Sequence, residues 1–458
     1  MSSAAFTHDT LASSEPRWLL SPRWDDVADL TTDALVDTTR VVVLAAHPDD
    51  ETLGVGGLMH DLVAAGHDIA VVVASDGEAS HPQSHVTEQW LARTRREECR
   101  SGLARLGVSE VVFLGVPDGQ VGVPGQDLVD LVSPHLDADT TLFAPWTSDG
   151  HPDHERLGEA AATAAQQVGA RAWFYPIWLW HWADEAGVPW DRVVTYSPAP
   201  TALHAKEAAI SCHRSQVEAL GPDEGDAPVL TAAGLGPSRR LVETLIRGGR
   251  TGRSAHPAGV LLSRGHVFDA MFEADDDPWG FETSWFEARK RSLTLAVLGR
   301  ARYDAVLDIG CSSGVLTAEL AARADHVTAV DASAAALRRA GTRLRDHEHV
   351  ELVHGSTGSD LPRASYDLVV LSEVGYFLTG AELLAMLRWA RGVLAPQGEV
   401  LLCHWRRPTR DVPLDGPLVH RQARAALDLP LVSSYADDDV VLDVWSAADS
   451  PATREGIA

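Results

Sequence analysis

Positive charge is what this sequence has least of: 38 Lys and Arg stand against 65 Asp and Glu, a formal net charge of -27 over 458 residues. A chain so acidic repels nucleic-acid phosphates and anionic membrane surfaces unless a basic patch is concentrated somewhere, and no Lys/Arg block of that kind occurs. Cysteine is nearly as scarce. The four cysteines, Cys99, Cys212, Cys311 and Cys403, are scattered without a C-x-x-C pair, which excludes a disulfide scaffold and a structural zinc knuckle and fits a reducing compartment. No run approaches the roughly 18 apolar residues of a membrane span. The opening "MSSAAFTHDTLASSEPRWLL" also lacks a basic region followed by an apolar one. These absences lead to the expectation of a cytoplasmic protein that works on small molecules, with no nucleic-acid or membrane partner; the sequence carries no sign of its oligomeric state.

What is present is ordinary globular material, 45% apolar and 22% charged, in a chain long enough for two or three domains. From residue 40 to about 200, apolar runs such as "RVVVLAA", "IAVVVASDG", "EVVFLGVPDG", "TLFAPW" and "RAWFYPIWLW" alternate with helical stretches such as "EQWLARTRREECRSGLARLG". A Gly/Pro/polar stretch follows and predicts a boundary near residue 255. Beyond it a second alternation runs through "DAVLDIGCSSG", "HVTAVDAS", "VELVHG", "YDLVVLS", "GEVLLCHW" and "VVLDVWS". The two halves share a rhythm and no aligned motif. The expected architecture is therefore two different, doubly wound α/β domains in tandem, residues 1–255 and 256–458.

Two charged clusters stand out in the first half. "VVVLAAHPDDETLGVGG" runs from a strand-like segment into His47, Asp49, Asp50 and Glu51, and "TLFAPWTSDGHPDHERLG" runs from another into His151, Asp153 and His154. Alone, the acids of the first cluster are explained by helix capping and the macrodipole, and a lone His-Pro by a hydrogen-bonded turn. Two such clusters, each at the carboxyl end of a strand where open α/β sheets place ligands, suggest one shared metal. Ala46 to Glu51 and His151 to His154, with "LGVPDG" between them, resemble the PIG-L or LmbE-like zinc N-deacetylases over roughly residues 40 to 220. That resemblance implies a Zn2+ or similar ion held by His47, Asp50 and His154. It also implies Asp49 as the base that deprotonates the metal-bound water, and His151 as a group that steadies the oxyanion or protonates the leaving amine. It extends to Asp118 and to the Lys206 to Gln216 stretch near a sugar site, although as physics these residues read equally as turn and surface. The run "WFYPIWLWHW" offers indole faces to a sugar ring, yet a tryptophan-rich strand is more simply core.

In the second half, "VLDIGCSSG" places Asp308, Gly310 and Gly314 between a strand and a helix, a loop that lets a ligand approach the backbone. A nicotinamide dinucleotide site wants G-x-G-x-x-G. The D-x-G-x-x-x-G spacing, with Asp331 ending the next strand, resembles class I S-adenosylmethionine methyltransferases, whose Rossmann-like fold would use Asp331 on the ribose hydroxyls. "DPWGFETSWFEARKR", "VVLSEVGYFL" and "LLCHWRRP" resemble the nodulation-type N-methyltransferases over residues 275 to 450. Glu373 and His404, each at a strand end, are candidates to orient or deprotonate an amine, with a helix-cap glutamate and a satisfied core histidine as the plainer readings. Trp279 and Glu282 are candidates for a lid.

Together the resemblances imply a bifunctional enzyme that removes an N-acetyl group from an amino-sugar substrate and then N-methylates the freed amine with S-adenosylmethionine. One alternative has the domains acting at different positions, with O-methylation in the second. Another makes one domain a silent binding module.

Overall fold

The computed structural model describes residues 14–122, 127–248, 262–275, 277–355, 364–407, 409 and 412–457. The chain forms two compact units, Met1–Trp18 with Asp26–Ala255 and Leu19–Asp25 with His256–Ala458. The boundary expected near residue 255 lies outside the described residues. Among the described residues no helix is long and apolar enough to cross a membrane.

The first unit is built on eight strands: β1 (Ala28–Asp29), β2 (Arg40–Ala45), β3 (Asp68–Ser75), β4 (Glu110–Val116), β5 (Thr140–Pro145), β6 (Arg171–Tyr175), β7 (Val193–Tyr196) and β8 (Glu243–Arg247). Their order in the sheet is β1-β7-β8-β6-β5-β2-β3-β4. All pairs are parallel except those of β8, which runs against β6 and β7. Val41 to Ala45 are all buried, as a parallel strand covered on both faces requires, and this explains why β2 reads as an unbroken apolar run. The chain order reverses at β2, which lies between β3 and β5, so the carboxyl ends of β2 and β5 flank the crevice where such sheets bind ligands.

The runs expected as strands fall on β2 to β6, with one correction. β6 stops at Tyr175, and Trp178 to Trp182 form a turn and a single helical turn, Leu179–Trp182. Strands β1, β7 and β8 were not legible; β8 is five residues long and lies in the stretch that reads as linker.

The helix Asp50–Ala64, entered from the first charged cluster, is not regular, because Val55 adopts φ -137° and ψ 23°. Its glycines permit two close approaches. A Cβ on Gly54 would sit 2.3 Å from the Tyr175 ring, and beyond the kink the N–H groups of Gly57 and Leu58 donate to the Glu243 carboxylate at 2.7 and 2.8 Å. Lys206 Nζ completes that buried pair at 2.6 Å. Lys206, His213 and Gln216 are thus interior supports, 3%, 1% and 1% exposed, and not the surface residues their sequence allowed.

The second unit carries seven strands: β9 (Tyr303–Ile309), β10 (Ala324–Asp331), β11 (Val350–His354), β12 (Tyr366–Ser372), β13 (Leu394–Trp405), β14 (Leu431–Ala436) and β15 (Val440–Ser446). Their order is β11-β10-β9-β12-β13-β15-β14, parallel up to β13, with β15 antiparallel to both β13 and β14. Here the order reverses at β9, between β10 and β12. Each unit has its own core: Val43, Phe143 and Tyr175 belong to the first, and Val306, Val370 and Leu401 to the second. The chain is two mixed α/β domains in tandem, as the alternation of runs implied.

Gly54→Ala tests the packing of the first unit. Overpacking against the Tyr175 ring is expected to cost about 2 kcal/mol and to lower the melting temperature of that unit by about 4–8 °C in calorimetry. An unchanged transition would mean that the ring yields freely.

Candidate active sites

Three side chains from two strand ends meet in the first unit. His47 follows β2, Asp50 opens the helix Asp50–Ala64, and His154 lies in the first turn of the helix Pro152–Val168 that follows β5. Their ligand atoms lie within 4.8 Å of one another, and all three residues are buried. Asp50 Oδ2 is 3.3 Å from His154 Nε2 and 3.7 Å from His47 Nδ1. His154 Nε2 is closed to water and makes no hydrogen bond of good geometry.

The outer nitrogen of each imidazole is tied to acids. Asp149 Oδ2 accepts a hydrogen bond from His154 Nδ1–H at 2.8 Å. His47 Nε2 faces Asp118 Oδ1 at 3.1 Å and Asp153 Oδ2 at 3.4 Å. Asp149, which sequence reasoning did not single out, is 0% exposed and also accepts the N–H groups of Ile177, Trp178 and Leu179 at 2.8, 3.0 and 3.0 Å. Burial works against charged imidazoles here, yet Asp118 and Asp153 raise His47 to about 9, and Asp50 and Asp149 raise His154 to about 10. Burial likewise opposes the Asp50 carboxylate, but the same two histidines hold it well below the usual carboxylate range. The acids therefore demand positive charge in a space closed to water. Protonated imidazoles meet that demand, and so does a divalent cation bound to neutral imidazoles. The donor set fits such an ion.

Asp49 sits at the edge of this triangle with φ 135°, a left-handed conformation that an aspartate holds only where its surroundings fix it. Its carbonyl accepts Leu53 N–H at 2.8 Å and its N–H donates to Glu51 Oε2 at 3.2 Å. Arg95, a buried residue of the helix Glu88–Arg105, places Nη2 3.3 Å from Asp49 Oδ2 and 3.0 Å from the Pro48 carbonyl. Burial pushes the Asp49 carboxyl up, with Arg95 opposing, and burial pushes Glu51 to about 7. Nothing in "RTRREECR" distinguishes Arg95 from its neighbours, so sequence reasoning had no signal for it.

His151 caps the helix Pro152–Val168 by accepting Asp153 N–H on Nδ1 at 3.2 Å. That bond assigns the ring hydrogen to Nε2. Its ring lies 5.0 Å from that of His47 and 4.6 Å from that of His154.

In the second unit the glycine loop closes over β9. Gly310 has φ 73°, and a Cβ there would sit 2.1 Å from Val374 Cγ2; Gly314 has φ 76° and abuts Ala340 and Leu344. Asp331 accepts Ser312 N–H and Ser333 N–H at 2.8 Å each, one on either oxygen. This holds its carboxylate at the rim of the loop. Asp308 is 1% exposed, accepts Thr317 Oγ1 at 2.7 Å and is pushed by burial to about 6. It braces the loop from beneath. A loop that excludes Cβ atoms beside a strand-end carboxylate fits a nucleoside ligand.

Glu373 follows β12 with φ 60°, beside Val374 and hence beside Gly310. Its carboxylate accepts the Tyr376 hydroxyl and lies 3.2 Å from Lys290 Nζ, which also bonds Glu287 at 2.8 Å. His404, read as a candidate to orient or deprotonate an amine, proves to be the satisfied core histidine. Gly375 N–H donates to its Nε2 at 3.0 Å, so its Nδ1–H donates to His420 Nε2 at 3.0 Å, and His420 Nδ1–H donates to Asp443 at 2.8 Å. Both ring nitrogens are engaged, and burial keeps the ring neutral. Trp279 packs on Phe272 at 5.3 Å, and Glu282 pairs with Arg343, which also donates to the Ser313 carbonyl of the glycine loop at 2.9 Å. The segment expected as a lid is thus tied to that loop.

Comparison with known proteins agrees with this division. Residues 42–165 match the family described as GlcNAc-PI de-N-acetylase, and residues 306–398 match a methyltransferase domain family. Among curated relatives, the chain is 25% identical over 291 residues to the 1D-myo-inositol 2-acetamido-2-deoxy-alpha-D-glucopyranoside deacetylase of Kineococcus radiotolerans, covering 55% of this chain and 74% of that one. It is 28% identical over 133 residues to Nodulation protein S of Sinorhizobium fredii, covering 28% of this chain and 60% of the relative, and so spans less than two thirds of that protein. Among solved structures, N-methyltransferase NodS from Bradyrhizobium japonicum WM9 in complex with S-adenosyl-l-homocysteine is 24% identical, with 40% of this chain and 98% of that one covered at a TM-score of 0.36.

Asp149→Asn sets an amide donor among four hydrogen-bond donors, and the His154 ring loses the acid that orients it. Metal affinity is expected to fall by about ten- to a hundredfold. Titration with zinc against a chelating dye reads this; an unchanged affinity would show that Asp149 does not act through His154.

Proposed function

We propose, from the premise that the chain joins an N-terminal PIG-L deacetylase domain to a C-terminal methyltransferase domain, that it is a bifunctional enzyme: it hydrolyses the N-acetyl group of an amino-sugar compound and then methylates the freed nitrogen. The observation that most supports the first step is the buried triangle of His47, Asp50 and His154, its His154 Nε2 unsatisfied, beside a carboxylate held in a strained backbone.

In this reading His47, Asp50 and His154 hold a zinc or similar ion. Such an ion, when bound, acidifies water and polarises an amide carbonyl. Asp49 accepts the proton of the attacking water as the new C–O bond forms, and returns it to the nitrogen as the C–N bond breaks. Arg95 keeps the Asp49 carboxylate turned toward its task. His151, whose ring hydrogen is on Nε2, donates to the carbonyl oxygen as negative charge gathers there.

The second step needs a free amine, because the lone pair of an amide is delocalised. In the second unit the loop of Gly310 and Gly314 would take S-adenosylmethionine, with Asp331 on its ribose hydroxyls and Asp308 bracing the loop. When bound, S-adenosylmethionine would supply an electrophilic methyl group, so the main demand on this chain's residues would be to orient a free amine toward it. Glu373 turns the amine N–H groups, and His404 acts as a positioning residue through Gly375.

Asp49→Asn is expected to retain its metal yet leave a methyl N-acetylglucosaminide both acetylated and unmethylated, while the corresponding glucosaminide is still methylated by the same protein. Asp331→Ala is expected to stop at the free amine. Mass spectrometry separates these products. A methylated, still acetylated compound from the Asp49 variant would place the methyl on oxygen and defeat the sequential reading.

A further inference from the structure

The tryptophans after β6 divide into two sets. Trp180 is 3% exposed, its ring packed edge-on against Trp18 at 5.2 Å and beneath the Arg240 guanidinium at 4.3 Å. It is core. Trp178 and Trp182 bracket the helix Leu179–Trp182: Trp178 is half-buried against the first unit's core, 5.2 Å from the His181 ring and 6.5 Å from the His151 ring, and Trp182 is 36% exposed. Trp182 also packs on Gly150, where φ is 87° and a Cβ would come 3.0 Å from the indole Cδ1. Part of the Trp182 indole is thus open to solvent beside Gly150, the residue that precedes His151 in the chain.

The position of these rings is fixed by the same carboxylate that orients His154. Asp149 Oδ1 accepts the N–H groups of residues 177 and 179, and its Oδ2 accepts both the N–H of residue 178 and the His154 imidazole N–H. The aromatic turn and the metal triangle therefore keep one register, whatever the surrounding loops do. From Trp178 through His151 and His47 to Asp118, the groups pass from aromatic to acidic, with ring separations of 6.5 and 5.0 Å and a closing contact of 3.1 Å. A ligand seated along that path needs an apolar face at one end and hydroxyl donors at the other. A pyranose ring has both: axial C–H bonds on one face and hydroxyl groups around its edge.

We infer that Trp178 and Trp182 form a stacking wall for the C–H face of a pyranose ring whose acetamido group reaches His151 and the metal triangle. The inference rests on the deacetylase reading and deepens it: the wall would choose sugar-borne acetamides over acyclic ones.

The test uses the full-length, zinc-loaded protein with two probes, methyl N-acetylglucosaminide and N-acetylethanolamine. Trp182→Ala is expected to raise KM for the glycoside about tenfold, the change falling mainly in KM, and so to lower selectivity for the glycoside over the acyclic amide, while Trp182→Phe restores most of it. Metal content measured in parallel shows whether the triangle is intact. A glycoside KM within twofold of wild type, or an equal loss on both probes, would overturn the wall and leave the deacetylase reading standing. If the wild type hydrolyses neither probe, that reading fails by itself, and calorimetry decides the wall: weaker glycoside binding by Trp182→Ala supports it, and equal or absent binding overturns it.

Discussion

The carboxylate of Asp149 has no route to water and must satisfy itself inside the protein. It does so with four donors: three backbone N–H groups after β6 and one imidazole after β5. A buried anion with this many partners tolerates little movement, because displacing any one of them leaves a charge partly unpaired in a low dielectric. The loop before the helix Pro152–Val168 is consequently rigid where it needs to be. His154 is held with Nε2 toward Asp50, and the aromatic turn is held so that Trp178 lies beside His151 and Trp182 against Gly150. Remove this constraint and the triangle loses one corner and the aromatic turn its anchor.

The second unit solves the corresponding problem with weaker means. Its glycine loop is pinned by the Asp331 carboxylate from one side and the Asp308–Thr317 bond from below, and the left-handed turn at Glu373 is pinned by a file of two histidines ending on Asp443. Each histidine can donate from only one nitrogen, so the direction of the whole file is set by the single N–H of Gly375. Both units place their chemistry where the strand order reverses, which is where helix N-termini and strand ends converge and backbone groups are available to a ligand.

The charged tetrads were legible because each is contiguous: His47 to Glu51 and His151 to His154 come from single turns that a strand delivers to the crevice edge. Asp308, Gly310 and Gly314 were legible for the same reason, and Asp331 because it ends the next strand. Arg95, Asp149 and Glu243 were not, since each acts on residues far away in the chain: Arg95 on Asp49, Asp149 on the turn at 177–179, Glu243 on the kinked helix at Gly57. Strand β8, which carries Glu243, is too short and too embedded in polar sequence to show a period of its own. The tryptophan run misled because alternation along a strand and spacing across one helical turn bury the same indole, Trp180. His404 misled in the opposite direction, since a histidine at a strand end looks reactive until its partners His420 and Asp443 are known.

The central claim is that the first unit is built around one cation held by two imidazoles and a carboxylate. His47 is shared with a second acidic grouping, Asp118 and Asp153, and a third set, His85, Asp223 and Asp226, lies apart from both. Anomalous diffraction at the zinc edge from crystals grown with zinc distinguishes them. The account predicts one strong peak within bonding distance of His47, Asp50 and His154; a peak at either other grouping with none in that triangle would contradict it.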